Sequence, residues 1–262
     1  MSDQLGEKLS TAKEIIRDAG NIALDYFRRL DSLTVSSKGI QDMVTEADVN
    51  VERFITDQLH LRYPKHQILG EESSHDFVLS GQGSVWVIDP IDGTQPFISS
   101  IPSWCISLSF VENCTTKVGI VFDPIHDEMF VAGYGLGAYL NDRRITASEQ
   151  PSIANGIVGI GHSNRVRVED TIGPMTRLLE NNGMFHRCGS GALSLAWVAS
   201  GRLLGYFEPH MCSWDALAGL LLVKEAQGEH LPYLTSRENL VKGNIVLAGG
   251  SPVYKSLCEI LL

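Results

Sequence analysis

The apolar residues of this chain change their spacing twice, and those changes restrict what it can fold into. From residue 3 to residue 30 they recur every three or four positions: Leu5, Leu9, Ala12, Ile16, Ala19, Ala23, Phe27 and Leu30. That is the period of a helix with one buried face. A polar link, 31–41, follows. A second helical face runs from about Glu46 to Arg62 through Val51, Phe54, Ile55 and Leu59, and Pro64 stops it. Short apolar runs then take over. Ile68-Leu69 leads into Gly70-Glu71-Glu72-Ser73, and Val85 to Ile88 leads into Asp89-Pro90. Ile106, Leu108 and Phe110 alternate with Ser107 and Ser109, which predicts a strand. Val118 to Phe122 and Met129 to Ala132 flank Asp123-Pro124-Ile125-His126-Asp127, which predicts a hairpin. The first half therefore reads as two helices followed by a mostly antiparallel sheet.

From about residue 150 strands and helices alternate. Strands are expected at 157–160, 203–207 and 245–248, and helices at 171–182, 190–200, 214–227 and 252–262, with Gly183, Gly201 and Gly228 near three of the helix ends. That alternation is the α/β pattern. The expected class is α/β, with an α+β first half and an α/β second half. The boundary falls near Thr146 to Ser152, giving subdomains 1–148 and 149–262 that share a cleft. At 262 residues and 44% apolar, the chain is long enough to bury a large core.

Charge narrows the partners. A formal net charge of −10 argues against nucleic acid as the primary ligand and against an anionic membrane. It leaves small anionic substrates open, because divalent cations held by carboxylates reverse the local sign. Residues 1–9 are polar and no run of 18 apolar residues occurs, so the expectation is a cytoplasmic protein with no membrane span. Cys105, Cys114, Cys188, Cys212 and Cys258 are scattered and lack a CxxC pair, which reads as free thiols.

The sharpest chemical feature is Asp89-Pro90-Ile91-Asp92-Gly93-Thr94, directly after an apolar strand. Pro90 is expected to end strand pairing. Gly93 permits a tight turn, and Thr94 is expected to cap a helix. Two carboxylates three residues apart on a turn can face one point, and oxygen-rich sites of that kind suit Mg2+. The helix start beyond would offer N–H groups to a phosphate. Alone, such a turn reads more readily as a solvated acidic loop. Glu71 and Glu72 also follow an apolar strand, and Asp215 opens an apolar helix. Each has a plain alternative, surface charge for Glu71 and the helix dipole for Asp215. All three features lie at the edges of apolar elements, where sheet enzymes place their ligands.

Four segments, in order, resemble the inositol monophosphatase family of metal-dependent, lithium-sensitive phosphatases. They are Asp42-Met43-Val44-Thr45-Glu46-Ala47-Asp48, Gly70-Glu71-Glu72-Ser73, Trp86 to Thr94, and Trp214-Asp215-Ala216-Leu217-Ala218-Gly219 with Glu225-Ala226. The resemblance runs from about residue 10 to the C-terminus. It implies a layered α-β-α-β-α sugar-phosphatase-like fold, a homodimer, and hydrolysis of a phosphate monoester by water with two or three Mg2+ ions. It assigns Glu71, Asp89 and the Ile91 carbonyl to one metal, and Asp89, Asp92 and Asp215 to a second. Glu71 with waters would assist a third. Thr94, supported by Asp48, would orient the attacking water. The N–H groups of Gly93 and Thr94 would hold phosphate. Arg187, Gly191 and Ala192 would line the leaving-group pocket, and Glu208 would bond a hydroxyl of the alcohol.

Two departures leave that alcohol open. Gln95-Pro96 stands where inositol enzymes usually have Thr-Asn, and Cys212 stands where many of them hold His. Inositol monophosphate is the first expectation. Histidinol phosphate or a 3′-phosphonucleotide is the alternative, and a regulatory protein of RNA polymerase or rRNA processing is an alternative of a different class. Gly133, Gly135 and Gly137 read as a turn. His60, His66 and His75 read as surface residues, and Cys188 and Cys212 as inert packing.

Overall fold

The computed structural model describes residues 2–30, 35–39, 42–78 and 83–262. Residues 31–34, 40 and 41 of the polar link lie outside them, and residues 35–39 and 42–44 are described for their backbone alone. The chain opens with helix α1 (Ser2–Phe27), then a hairpin of β1 (Val35–Gly39) and β2 (Asp42–Thr45), then α2 (Glu46–Arg62). Thr45 starts α2 with a capping box: its hydroxyl accepts from the amides of Ala47 and Asp48, while the Asp48 carboxylate accepts from the Thr45 amide. A sheet follows: β3 (Gln67–Gly70), β4 (Val85–Asp92), the short helix α3 (Thr94–Ile98), β5 (Cys105–Glu112), β6 (Thr115–Asp123), β7 (Glu128–Gly133), β8 (Gly137–Leu140) and β9 (Arg143–Arg144).

The second half runs β10 (Ile157–Ile160), α4 (Glu169–Glu180), β11 (Met184–His186), α5 (Gly191–Ala199), β12 (Gly205–Met211), α6 (Ser213–Glu225), β13 (Gly228–His230), α7 (Asn239–Lys242), β14 (Asn244–Gly250) and α8 (Ser251–Leu261). The strands form a seven-stranded sheet ordered β3-β4-β5-β6-β7-β8-β9 and a five-stranded sheet ordered β11-β10-β12-β14-β13. In the first sheet β3 and β4 are parallel and every later pair is antiparallel. In the second, β10 pairs parallel with β11 and β12, while β14 pairs antiparallel with β12 and β13.

Helices α1 and α2 cover one face of the large sheet, and α5 and α6 fill the space between the sheets. Helices α4 and α8 cover the outer face of the small sheet. The layers are α-β-α-β-α, an α/β fold. Helix α6 is apolar all round because it is buried on all sides, as such a helix must be. It approaches β6 closely: a Cβ at Gly119 would lie 2.7 Å from the Ala218 carbonyl oxygen.

Several expectations change. The strand expected from the alternation over 105–111 is present as β5, and its Ser107 and Ser109 are as buried as their apolar neighbours. The sheet is covered on both sides, and the Ser107 hydroxyl donates to the Trp214 carbonyl at 2.8 Å. Strand β4 does not stop at Pro90. It resumes pairing with β5 at Asp92 after a register shift, so the proline sits in a bulge where a missing donor is tolerated. His66 is half-buried, stacks on Tyr63 and Phe110, and accepts from the Trp86 indole, unlike the exposed His60 and His75. The short strands β8, β9, β11 and β13 carry no periodic signal and emerge from pairing alone.

Candidate metal centre and adjoining cleft

The bulge in β4 determines where the carboxylates go. Asp89 is the last residue paired before the shift and Asp92 is the next one paired. Asp89 Oδ1 accepts from the Ile91 amide at 3.0 Å, which fixes the turn. Gly93 then takes φ +100°, a conformation that disfavours any side chain, and a Cβ there would lie 3.0 Å from the Ser103 carbonyl oxygen. Helix α6 brings Asp215 in its first turn to the same point. One oxygen each from Asp89, Asp92 and Asp215 lies within 4.8 Å of the others.

Asp92 is firmly held. Its Oδ2 accepts from the Ser190 hydroxyl and the Ala192 amide, both at 2.6 Å, and from the Cys105 thiol at 3.8 Å. Ser190 also caps α5 by accepting from the Leu193 amide, so one residue ties the α5 terminus to the end of β4. Ala192 is buried and serves Asp92 through its backbone, not the cleft wall.

Mutual crowding shows in the acidities. Burial first, then the charges of Glu71, Asp92 and Asp215, raises Asp89 well above the usual carboxylate range. Burial and Asp215 push Asp92 up to about 7. Burial also raises Asp215, with Arg165 acting in the opposite direction. Buried carboxylates facing one another without a cation are strongly unfavourable. The donor set, all hard oxygen, fits a divalent cation such as Mg2+ or Ca2+.

Glu71 ends the β3 corner. Its amide donates to the Ile88 carbonyl at 3.1 Å, which places it beside Asp89. Thr94 is the first residue of α3 and does not cap it; the capping position is Gly93. The Thr94 hydroxyl instead lies 3.2 Å from the Ile91 carbonyl and 3.4 Å from Asp48 Oδ1. Asp48 is fully buried; burial pushes it up to about 6, against the bonds from Thr45.

A cleft of about 100 Å³ opens beside the triad, lined by Asp92, Asp215, Arg187, Gly191, Tyr206 and Glu208 among others. The Tyr206 hydroxyl donates to Glu208 Oε2 at 2.5 Å. Burial, then Asp215 and Asp92, pushes Glu208 up to about 8 despite the Tyr206 bond. Sequence reasoning gave no role to Tyr206 or Glu52 and did not connect Ser190 to Asp92. Tyr206 was findable: it lies two residues before Glu208 on a strand, so both point to one face. All five cysteines are unpaired, and burial raises Cys188, which lines the cleft, to about 11.

This layered fold, with an acidic triad at a strand end and a helix start, defines a class of metal-dependent phosphatases. The profile of the Inositol monophosphatase family matches residues 5–261, and the chain belongs to that family. It is 36% identical over 251 residues to Nus factor SuhB of Escherichia coli K12, covering 95% of this chain and 93% of that one. It is 33% identical over 253 residues to the inositol-1-monophosphatase of Bacillus subtilis, covering 95% and 94%. The crystal structure of extragenic suppressor protein suhB from Bartonella henselae superposes with a TM-score of 0.88 at 27% identity, covering 97% of this chain and 98% of that one. No helix among the described residues is long and apolar enough to cross a membrane.

Proposed function

We propose that this chain hydrolyses a small phosphate monoester with Mg2+, inositol monophosphate before other esters. The observation that carries the proposal is the convergence of Asp89, Asp92 and Asp215 oxygens within 4.8 Å. Asp89, Asp92 and Asp215, with Glu71 and the Ile91 carbonyl, would hold two or three ions. When bound, such ions neutralise phosphate oxygens, lower the pKa of water and stabilise the leaving alkoxide.

The chain's own groups supply the rest. Thr94, poised between Asp48 and the Ile91 carbonyl, orients the attacking water and passes its proton toward the Asp48 carboxylate. The amides of Gly93 and Thr94 meet phosphate oxygens. Gly191 leaves room for the alcohol, Arg187 stands at the rim, and Glu208 bonds a hydroxyl. Residues 1–148 supply most metal ligands, and residues 149–262 supply Asp215 and the alcohol side. The family resemblance also supports a homodimer and lithium sensitivity.

The test is phosphate release with Mg2+ from inositol 1-phosphate, histidinol phosphate, adenosine 3′,5′-bisphosphate and fructose 1,6-bisphosphate, compared by kcat/KM. Asp92→Asn is expected to cut release by roughly a thousandfold. Equal inactivity of wild type and variant on all four esters would sink the enzyme reading. Dominance of histidinol phosphate would move the alcohol assignment.

A second reading rests on the relative named Nus factor SuhB: a regulatory role in transcription carried by the same fold. It predicts that a transcription phenotype on gene deletion is restored by Asp92→Asn as well as by wild type.

A further inference from the structure

We propose that Glu52 is a positioning residue for the metal centre: its buried carboxylate, wedged behind the Gly70–Ser73 corner, holds Glu71 toward the Asp89–Asp92–Asp215 triad. This rests on the metal-dependent reading above and names a part of that machinery to which the family motifs give no role.

The helical period of α2 turns Ala47, Asp48, Val51, Glu52, Ile55 and Leu59 inward. Five of these positions have an evident use, as core or as the partner of Thr45 and Thr94. Glu52 is a carboxylate in an apolar row, 6% exposed. Burying it is unfavourable unless its oxygens are bonded. Glu52 Oε2 accepts from the Glu72 amide at 2.8 Å, and Ser73 adds hydrogen bonds from its side chain and backbone. Burial still holds its carboxyl above the ordinary range.

The other side of the wedge is Gly70. A Cβ at that position would lie 2.3 Å from the Glu52 carboxyl carbon and 2.4 and 2.5 Å from its two oxygens. The carboxylate occupies the space that any other residue at 70 would fill. Glu52 therefore presses on the residue before Glu71 and bonds the amide of the residue after it. The Glu71 amide itself is tied to the Ile88 carbonyl of β4. With both flanks fixed to α2 and its own amide fixed to β4, Glu71 has little backbone freedom. Its charge is close enough to raise Asp89. Partners that orient ligands, without being ligands, commonly change metal affinity by roughly ten- to a hundredfold when lost.

The experiment is Mg2+ binding to the purified full chain, read by calorimetry and by the rise in Tm that Mg2+ produces over EDTA. Four variants are compared: Glu52→Asp, Glu52→Gln, Gly70→Ala, and Gly70→Ala combined with Glu52→Ala. Aspartate keeps the charge but withdraws it by one methylene, so Mg2+ affinity is expected to fall roughly tenfold or more. Glutamine keeps the reach and one acceptor and is expected to lose less. Gly70→Ala should weaken Mg2+ binding in the wild-type background and add nothing once Glu52 is alanine, because the two share one space. If the order is reversed, with Gln poor and Asp near wild type, long-range charge is the cause and positioning is wrong. Lower Tm in EDTA with unchanged Mg2+ affinity makes Glu52 a packing residue and overturns the proposal equally. Failure of the wild type itself to bind Mg2+ removes the metal reading along with this one, and so is distinct from either result.

Discussion

Replacing Asp92 by Asn should separate stability from function in opposite directions. The two side chains are nearly isosteric. Asn can keep the bonds that Oδ2 accepts from Ser190 and Ala192, both 2.6 Å, and what it loses is charge. In the wild type that charge faces Asp89 and Asp215 with oxygens inside 4.8 Å. Two like charges at that separation repel by about 3.5 kcal/mol at an effective dielectric near 20. Part of the repulsion is relieved by protonation, so about 3 kcal/mol is a fair expectation for the gain on substitution. For a chain of this length that corresponds to a Tm rise of about 6 °C in EDTA at pH 8. With 5 mM Mg2+ (about that order) the ranking should invert, because the ion stabilises the wild type by its binding free energy and the variant binds it weakly. Phosphate release should fall by roughly a thousandfold, from several kcal/mol of lost charge stabilisation. The assay is paired thermal unfolding with and without Mg2+, alongside phosphate release. A variant less stable than wild type in EDTA, or unchanged in Mg2+ response, would refute the idea that these three carboxylates are held together for a cation.

Other outcomes are equally specific. Tyr206→Phe removes the 2.5 Å bond to Glu208 and should raise KM for a polyol phosphate about tenfold, the equivalent of about 1.4 kcal/mol, with kcat within about twofold. Glu208 is raised from 4.5 to about 8; the folded state therefore holds the extra proton, and stability is lost as pH rises from 4.5 through 8. Glu208→Gln should flatten that fall in thermal unfolding measured in EDTA, gaining on wild type at pH 9 and matching it near pH 4; parallel curves would count against it. Gly93→Ala forces a Cβ into φ +100° and toward the Ser103 carbonyl, and should lower stability by about 2 kcal/mol and phosphate release with it. Ser107→Val removes the 2.8 Å side-chain donor to the Trp214 carbonyl, which keeps its helical donor in α6, and should cost about 1 kcal/mol in urea unfolding.

Much of the architecture was legible because it follows from local spacing. The helical period of Leu9 to Ala23 and of Val51 to Leu59 marks α1 and α2, and glycines near the ends of α4, α5 and α6 mark where those helices stop. The burial of Ser107 and Ser109 was not legible, for a physical reason. Alternation reports one apolar face, but it cannot report that a second layer, α5 and α6, covers the polar one. Strands such as β11 and β13, three residues each, exist because a neighbour offers a ladder, and no residue type announces that. At the site, Asp89, Asp92 and Gly93 could be read as a unit because they lie within five residues on one turn. Ser190 could not be assigned to Asp92, since 98 residues separate them.

The sequence by itself determined the turn from Asp89 to Thr94, the helices on either side, and the family to which four separated motifs point. Those depend on residues near one another in the chain. Tertiary structure decided that Asp215 meets Asp89 and Asp92, that Ser190 and Ala192 hold Asp92, and that Glu52 fills the space Gly70 leaves behind Glu71. The reason is that a convergence of carboxylates is a property of distance in space. It arises where the bulged end of β4 faces the start of α6, and the packing of two sheets about α5 and α6 sets that distance.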